Sequence, residues 1–244
     1  ERMSKQRTID YYASFGNREW DRLSWPEGRL EAAVTMDAFD RYLEVQARIL
    51  DIGGGAGRWT VALASRGYRL TLADLSPVLL DIAKQKIAEH DLADRVEEVI
   101  EADVCDLQHW SDSRFDVVLC LGPFYHLTEA DDREKAVREI HRILRPGGLV
   151  FVAFMTVYAF LRRVLALPDE REFLKDEAFV RRLAHDGVFE NRVQGRFDSG
   201  YGTRPEQALS LLERHGFESI ELLSDTGFAA SSAENIAKLE VESP

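Results

Sequence analysis

Three stretches of the 244-residue chain carry residue types that could bind a nucleoside. Residues 51–57 read DIGGGAG, and glycines between a strand and a helix let the backbone turn tightly and approach a ligand closely. Asp74 ends the next strand, at about the 20-residue spacing at which an acidic side chain meets ribose hydroxyl groups. Asp103 ends the third strand. The glycines and both carboxyl groups are therefore expected at one edge of a sheet.

Each of these features also has a purely structural interpretation. A glycine turn can form without any ligand, and Asp74 before LSP could simply cap a helix. Their occurrence on three consecutive strands favours a nucleoside-containing ligand. The dinucleotide fingerprint G-x-G-x-x-G, counted from Gly53, would require a glycine where Arg58 stands, which disfavours a nicotinamide oxidoreductase.

The elements that must position these residues alternate between strands and helices. Apolar runs predict strands over 47–52, 68–73, 96–102, 115–121 and 149–155, and helical patterns separate them, as over 133–144. Such alternation predicts an α/β fold with a doubly wound parallel sheet. Beyond it, the sequence predicts helices over 157–167, 173–183 and 205–215, a strand over 217–223 and a short tail over 229–242.

These motifs, in this order, resemble the class I S-adenosylmethionine-dependent methyltransferases over roughly residues 45–155. The resemblance rests on 51–57, Asp74, Ala102-Asp103, FDVVLC at 115–120 and LRPGG at 144–148. It implies a Rossmann-like, seven-stranded, mostly parallel sheet of order 3-2-1-4-5-7-6, whose last strand, 217–223 here, is antiparallel. The expected units are an N-terminal helical cover (1–44), a cofactor domain (45–155 and 205–244) and a helical lid insertion (156–204).

The resemblance also implies S-adenosyl-L-methionine as the cofactor and a set of residues that bind it. They are Tyr12, Asp51, Gly53, Gly54, Gly55, Asp74, Leu75, Asp103, Val104, Leu121 and Gly122. Gly53 and Gly55 would lie under the methionine part, and Asp74 would hold the ribose hydroxyls. Asp103 would accept from the adenine amino group. Tyr12 could close over the cofactor, or its helix could simply pack its aromatic side chains on the core.

The sequence after the fourth strand, LGPFYHL at 121–127, bears on the acceptor. It lacks the N/D-P-P-Y/F motif of amino-group methyltransferases and the Pro-Cys nucleophile used at cytosine C5, and we expect no metal. It resembles a bacterial subgroup of the ubiquinone-biosynthesis-like methyltransferases. His126 is the candidate base, because histidine titrates near neutrality, and Tyr125 is a candidate substrate contact. A packing role is the alternative for both.

The lid insertion supplies further candidates for binding the substrate. They are Tyr158, Arg162, Tyr201 and Arg204. Phe160 and Phe197 could line an apolar pocket with Tyr158. Surface or packing positions are the alternative for each, and the pair 162–163 and the acidic residues of 168–177 are expected on solvated helix faces.

Composition restricts the acceptor and the partners. Lys and Arg total 31 against 43 Asp and Glu, a net charge of −12, which disfavours a nucleic-acid acceptor. Two cysteines predict buried thiols, and no membrane span or secretory signal is expected, so we expect a cytoplasmic protein. The predicted activity is direct methyl transfer to O, N or C of a small molecule. A tRNA or protein methyltransferase and an inactive cofactor-binding partner remain alternatives, as do a monomer and a homodimer.

Overall fold

The computed structural model describes residues 2–193 and 195–224, which are organised around a parallel β-sheet. Its strands are β1 (Arg48–Ile52), β2 (Arg69–Asp74), β3 (Val96–Glu101), β4 (Phe115–Cys120) and β5 (Leu144–Val152). They pair in the order β3-β2-β1-β4-β5, and every pairing is parallel. The predicted 3-2-1-4-5 core is confirmed. The direction of strand order reverses between β1 and β4, where open α/β sheets bind their ligands.

Helices cover both faces of this sheet because its inner strands are apolar on both sides. The helices around it are α3 (Pro26–Tyr42), α4 (Arg58–Ala64), α5 (Pro77–Glu89), α6 (Ala130–Ile143) and α10 (Pro205–Glu213). Leu50 and Val118 pack into the cluster that includes Ile140 of α6. Ile49 and Val117, on alternate positions, face the cluster that includes Leu63 of α4. The sheet is thereby held rigidly between two layers.

The N-terminal region is helical, as the sequence predicts for 1–44, and it is divided into several helices. Helix α1 (Arg2–Phe15) and helix α2 (Asn17–Asp21) precede α3, which begins at Pro26, where the missing N–H of proline costs no hydrogen bond. Phe39 of α3 packs edge-on against Trp59 and Phe151 at centroid distances of 5.4 and 5.0 Å. These contacts attach α3 to the sheet.

Residues 155–203 form a smaller unit between β5 and α10. Its elements are β6 (Met155–Thr156), α7 (Val157–Ala166), α8 (Pro168–Arg171), α9 (Glu177–Arg181), β7 (Val188–Glu190) and β8 (Ser199–Thr203). The three strands pair in the order β6-β8-β7. Phe160 and Phe189 stack at 4.9 Å inside its own apolar cluster. The predicted helix over 173–183 is interrupted, because the Asp176 carboxylate caps α9 by accepting from the Ala178 N–H.

Two sequence predictions for the C-terminal part need correction or fall outside the described residues. Residues 217–223 form no strand, and in the described part of the chain β5 pairs only with β4. Phe217 packs on the core, but Ile220 and Leu222 are 64% and 59% exposed, so the apolar pattern that predicted a strand has no sheet to cover it. The predicted order 3-2-1-4-5-7-6 is therefore seen only for its first five strands. The predicted tail, 229–242, lies outside the described residues.

Candidate functional site

The glycine turn after β1 has a shape that only glycine accommodates at two positions. Gly53 has φ +72°, and a Cβ placed there would lie 2.5 Å from Cγ of Pro123. A Cβ on Gly54 would lie 2.6 Å from the Asp51 carboxyl carbon. The Gly53 N–H donates to the Ala73 carbonyl at 2.7 Å, which ties the turn to β2. The main chain of this turn is thus exposed to a ligand without side chains in the way.

Asp51 and Asp74 stand at the ends of β1 and β2, on either side of the turn. Asp51 is buried and accepts from the Thr60 hydroxyl at 2.7 Å, and its burial raises its pKa to about 6. The two oxygens of Asp74 accept from the backbone N–H groups of Gly55 and Ser76, each at 2.8 Å. Burial also raises the pKa of Asp74. Asp74 therefore fixes the glycine turn, and its side chain also lines a cavity beside this turn.

Asp103 lies after β3 and pairs with a residue that the sequence analysis missed. Lys5 Nζ of α1 donates to Asp103 Oδ2 at 2.6 Å, and the Cys105 N–H donates to Oδ1 at 2.9 Å. This contact holds α1 over the end of β3. No periodicity in the N-terminal region singles out Lys5, because its partner is 98 residues away.

His126 lies in the short helical turn Pro123–His126 that follows β4, and it contacts the C-terminal part of α1. Its Nε2 is 2.9 Å from the hydroxyl oxygen of Tyr12, and its ring lies between Tyr12 and Phe197, each at a centroid distance of 5.3 Å. Burial lowers the pKa of His126 to about 4 and raises that of Tyr125 to about 12. At neutral pH the imidazole is uncharged and both tyrosines keep their protons.

These groups line one cavity of about 380 Å³. The cavity contains every residue predicted to bind the cofactor and both predicted catalytic residues. It also contains four charged side chains of the N-terminal helices that sequence reasoning missed: Lys5, Glu19, Arg22 and Glu31. Charged residues nearby in sequence, such as Arg7, Arg18 and Arg29, are exposed, so only the packing of the N-terminal helices distinguishes the four.

The four substrate candidates of the lid insertion are not among the residues that line this cavity. Tyr158 and Arg162 are exposed, because the helical period of α7 turns Phe160 and Val164 inward instead. Tyr201 lies under the guanidinium of Arg133, 3.6 Å from its ring centroid. Arg204 precedes α10 and donates to the Ala184 carbonyl. Of the lid aromatics named from the sequence, Phe197 reaches the cavity.

Two residues expected on solvated helix faces are also placed differently. Glu170 is fully buried, and the Arg163 guanidinium donates to both of its oxygens at 2.8 and 2.7 Å. Arg196 and the Asn191 amide complete the set of donors. Although burial alone would raise it, these contacts lower the pKa of Glu170. The network therefore belongs to the interior of the lid unit.

Comparison with known proteins decides the family. Residues 49–148 match a family model described as a methyltransferase domain. The ubiquinone biosynthesis O-methyltransferase of Xylella fastidiosa (strain M23) is 29% identical over 214 residues, covering 80% of this chain and 84% of that protein. The chain is a class I S-adenosylmethionine-dependent methyltransferase.

Two further proteins similar to this methyltransferase are a tRNA-modifying enzyme and a solved structure. The tRNA 5-carboxymethoxyuridine methyltransferase of Escherichia coli (strain K12) is 28% identical over 140 residues, 55% of this chain and 52% of that protein. A solved S-adenosylmethionine-dependent methyltransferase from Methanosarcina mazei shares the fold with a TM-score of 0.61. It is 22% identical, and the match covers 74% of this chain and 84% of that one.

The cavity of the methyltransferase fits its cofactor, S-adenosyl-L-methionine. The glycine turn leaves a cradle that a Cβ would fill, one carboxyl group ends β2, and another follows β3. Within residues 2–193 and 195–224, no three histidine, cysteine, aspartate or glutamate side chains are grouped to hold a metal ion. No helix in that part of the chain has the length and apolar character needed to span a membrane.

Proposed function

We propose that this methyltransferase methylates a hydroxyl oxygen of a small, planar molecule. One observation carries the proposal: an uncharged imidazole, His126, stands among aromatic rings at the end of the cavity that follows β4. Leu121 and Gly122, which follow this strand, line the same cavity. Flat rings such as Phe197 favour stacking with a flat acceptor.

In this proposal the residues of the cavity act by positioning. The bound cofactor supplies a methyl group on a sulfonium, and transfer is an in-line displacement that depends on alignment of the acceptor oxygen. When the acceptor binds, its hydroxyl replaces the Tyr12 hydroxyl as the partner of His126 Nε2, which accepts its hydrogen bond, orients its lone pair and takes its proton. Tyr12, whose burial keeps its pKa well above the usual value, stays protonated and can donate to the same oxygen.

Two covers would exclude water from this reaction. Tyr12 belongs to α1 and Phe197 to the lid unit, and both touch His126. We therefore propose residues 1–44 and 156–204 as the covers of a cofactor domain formed by 45–155 and 205–224; the remainder of the predicted range 205–244 lies outside the described residues. A closed, water-poor site strengthens the polar contacts that align the acceptor.

The comparisons support an oxygen acceptor and leave one competing class. The Xylella fastidiosa relative is named an O-methyltransferase, whereas the Escherichia coli relative is named for a tRNA nucleoside. A polynucleotide is held mainly by lysine and arginine on its phosphates, and this chain has a net charge of −12. We therefore favour a small molecule over tRNA.

The test is a search for the methylated product. The full chain is incubated with S-adenosylmethionine carrying a CD₃ methyl group and, in separate reactions, with phenols, catechols, hydroxy acids, amines and total tRNA. We expect a labelled methyl ether on a phenol or catechol, located by mass spectrometry. Label found only on nitrogen, on carbon or in tRNA would overturn the proposal.

A further inference from the structure

The N-terminal helices place a charged cluster in the cavity that the proposed methyl transfer does not use. Arg22 donates through its two terminal nitrogens to the two oxygens of Glu31, at 2.7 and 3.1 Å, and through Nε to Glu19 Oε1 at 3.2 Å. Although burial would lower it, the Glu31 carboxylate raises the pKa of Arg22, which stays charged. Two carboxylates share one guanidinium, so the cluster lacks one positive charge.

One oxygen of this cluster, Oε2 of Glu19, is buried and lacks a hydrogen-bond donor among the described residues. A buried carboxylate oxygen without a donor costs free energy, and native structures rarely retain one without a reason. Burial raises the pKa of Glu19, so the carboxylate would be better stabilised by a cationic donor.

The position of Glu19 indicates which donor it meets. Its Cγ lies 3.8 Å from the point where a Cβ on Gly55 would stand, so the side chain lies against the glycine turn. The next residue in α2, Trp20, carries the Arg58 guanidinium over its ring at 5.0 Å, and this contact holds the helix at the turn. Asp74, whose carboxylate binds the Gly55 N–H, is the group at the ribose end.

The chemistry of the cofactor shows which of its groups could be the hydrogen-bond donor to Glu19 Oε2. Its sulfonium has no N–H or O–H to donate, its ribose hydroxyls are matched by Asp74, and its adenine is matched at the end of β3. The α-ammonium group of the methionine part has three donors and the missing positive charge.

We propose that Glu19 Oε2 binds the α-ammonium group of the cofactor, while Arg22 and Glu31 hold the carboxylate against the glycine turn. Glu19 thereby selects a cofactor with an intact amino acid end. The inference rests on the cofactor and is independent of the acceptor, so it survives if the acceptor proves not to be a hydroxyl compound.

The experiment measures binding by calorimetry with two ligands, S-adenosylhomocysteine and methylthioadenosine, which keeps the nucleoside but lacks the amino acid. Glu19→Gln should weaken S-adenosylhomocysteine roughly 10- to 100-fold and leave methylthioadenosine within about two-fold. Asp74→Asn is the matched control, and it should weaken both ligands. Glu44→Gln, at an exposed residue paired with Arg145, should weaken neither.

Two results would overturn the assignment. One is a Glu19→Gln protein that melts like wild type and binds S-adenosylhomocysteine equally well. The other is equal loss for both ligands, which would place Glu19 at the nucleoside. If Glu19→Gln proves unstable, Glu19→Asp keeps the charge beside Arg22 and shortens its reach. It should lose affinity for S-adenosylhomocysteine alone, and unchanged affinity would again exclude the contact.

Discussion

At the scale of single residues, the cavity combines two buried groups whose pKa values move in opposite directions. Burial raises the pKa of Asp51 to about 6 and lowers that of His126 to about 4. At neutral pH the His126 imidazole is therefore uncharged, whereas the Asp51 carboxyl is mostly ionised. Both shifts imply that part of the folding free energy is given up at the site, because the unfolded chain would ionise each group more readily.

The cost of Asp51 can be measured directly. Its pKa is higher in the folded state than in the unfolded state, so its contribution to stability is lost as the pH rises from about 4 to 6. At pH 7.5 we expect the free energy of unfolding of Asp51→Asn, measured by urea denaturation, to exceed that of wild type by roughly 2–3 kcal/mol. At pH 4 the two proteins should be nearly equally stable. Equal or lower stability at pH 7.5 would show that the charge is compensated. Thr60→Val, which removes the hydroxyl donor at 2.7 Å, should instead destabilise the protein.

The role of His126 gives a second prediction at this scale. His126→Gln should lower turnover at saturating cofactor roughly 10- to 1,000-fold, because the acceptor loses a positioned proton acceptor. Binding of S-adenosylhomocysteine should stay within about two-fold. Wild-type turnover should be insensitive to this group above about pH 5 and should fall near pH 4, where the imidazole takes up a proton. His109→Gln, at a surface histidine paired with Glu98, is the control, and equal turnover in both variants would remove His126 from the mechanism.

At the scale of elements, the strand ends and the turns decide what the cavity can hold. Gly53 and Gly67 both have positive φ, at +72° and +94°, but only Gly53 has a neighbour, the Pro123 ring, in the way of a Cβ. Both Gly53→Ala and Gly67→Ala suffer the backbone strain of a positive φ, but only Gly53→Ala also clashes with Pro123. We therefore expect Gly53→Ala to lower the free energy of unfolding by about 1–3 kcal/mol more than Gly67→Ala. Calorimetry should show loss of S-adenosylhomocysteine binding in Gly53→Ala alone. Similar behaviour of the two variants would mean that the turn tolerates a side chain.

The lid unit depends on one buried carboxylate. Glu170→Gln removes the charge that Arg163 and Arg196 share, and both guanidinium groups are about one-third exposed, so we expect a loss of about 1–3 kcal/mol. The loss should be local and should appear as faster hydrogen exchange in 155–203. Asp169→Asn changes an exposed neighbour that also contacts Arg196 and should have little effect. Uniformly faster exchange over the whole chain would contradict the view of the lid as a separate unit.

The elements also mark where prediction from the sequence succeeds. Strands β1 to β5 follow from local apolar runs, and their order from the resemblance to class I S-adenosylmethionine-dependent methyltransferases, so the glycine turn, Asp74 and Asp103 are predictable. Glu19 and Glu170 are not, because their burial depends on helices packed against residues distant in sequence. The strand predicted over 217–223 fails for the same reason: an apolar pattern forms a strand only where it pairs with a neighbouring edge, and these residues do not pair with the open edge of β5.

At the scale of the whole molecule, the site is assembled from parts that are far apart in the chain. Helix α1 contacts the cofactor edge at both ends, through Lys5 with Asp103 and Tyr12 with His126. Phe197 approaches the same histidine from the lid unit. A ligand in the cavity should therefore hold three regions together, since anything that binds only the assembled state stabilises it.

This coupling gives a prediction for the complete protein. S-adenosylhomocysteine at about 100 times its Kd should raise the free energy of unfolding by about 2.7 kcal/mol. Hydrogen exchange should slow in 2–15 and in 195–203 as well as in the glycine turn, because α1 and the segment around Phe197 close over the same cavity. Asp74→Asn, at the same ligand concentration, should show a smaller shift in all three regions. Protection confined to 51–57 and β2 would mean that the cofactor binds without its covers, and that α1 and the lid serve the acceptor alone.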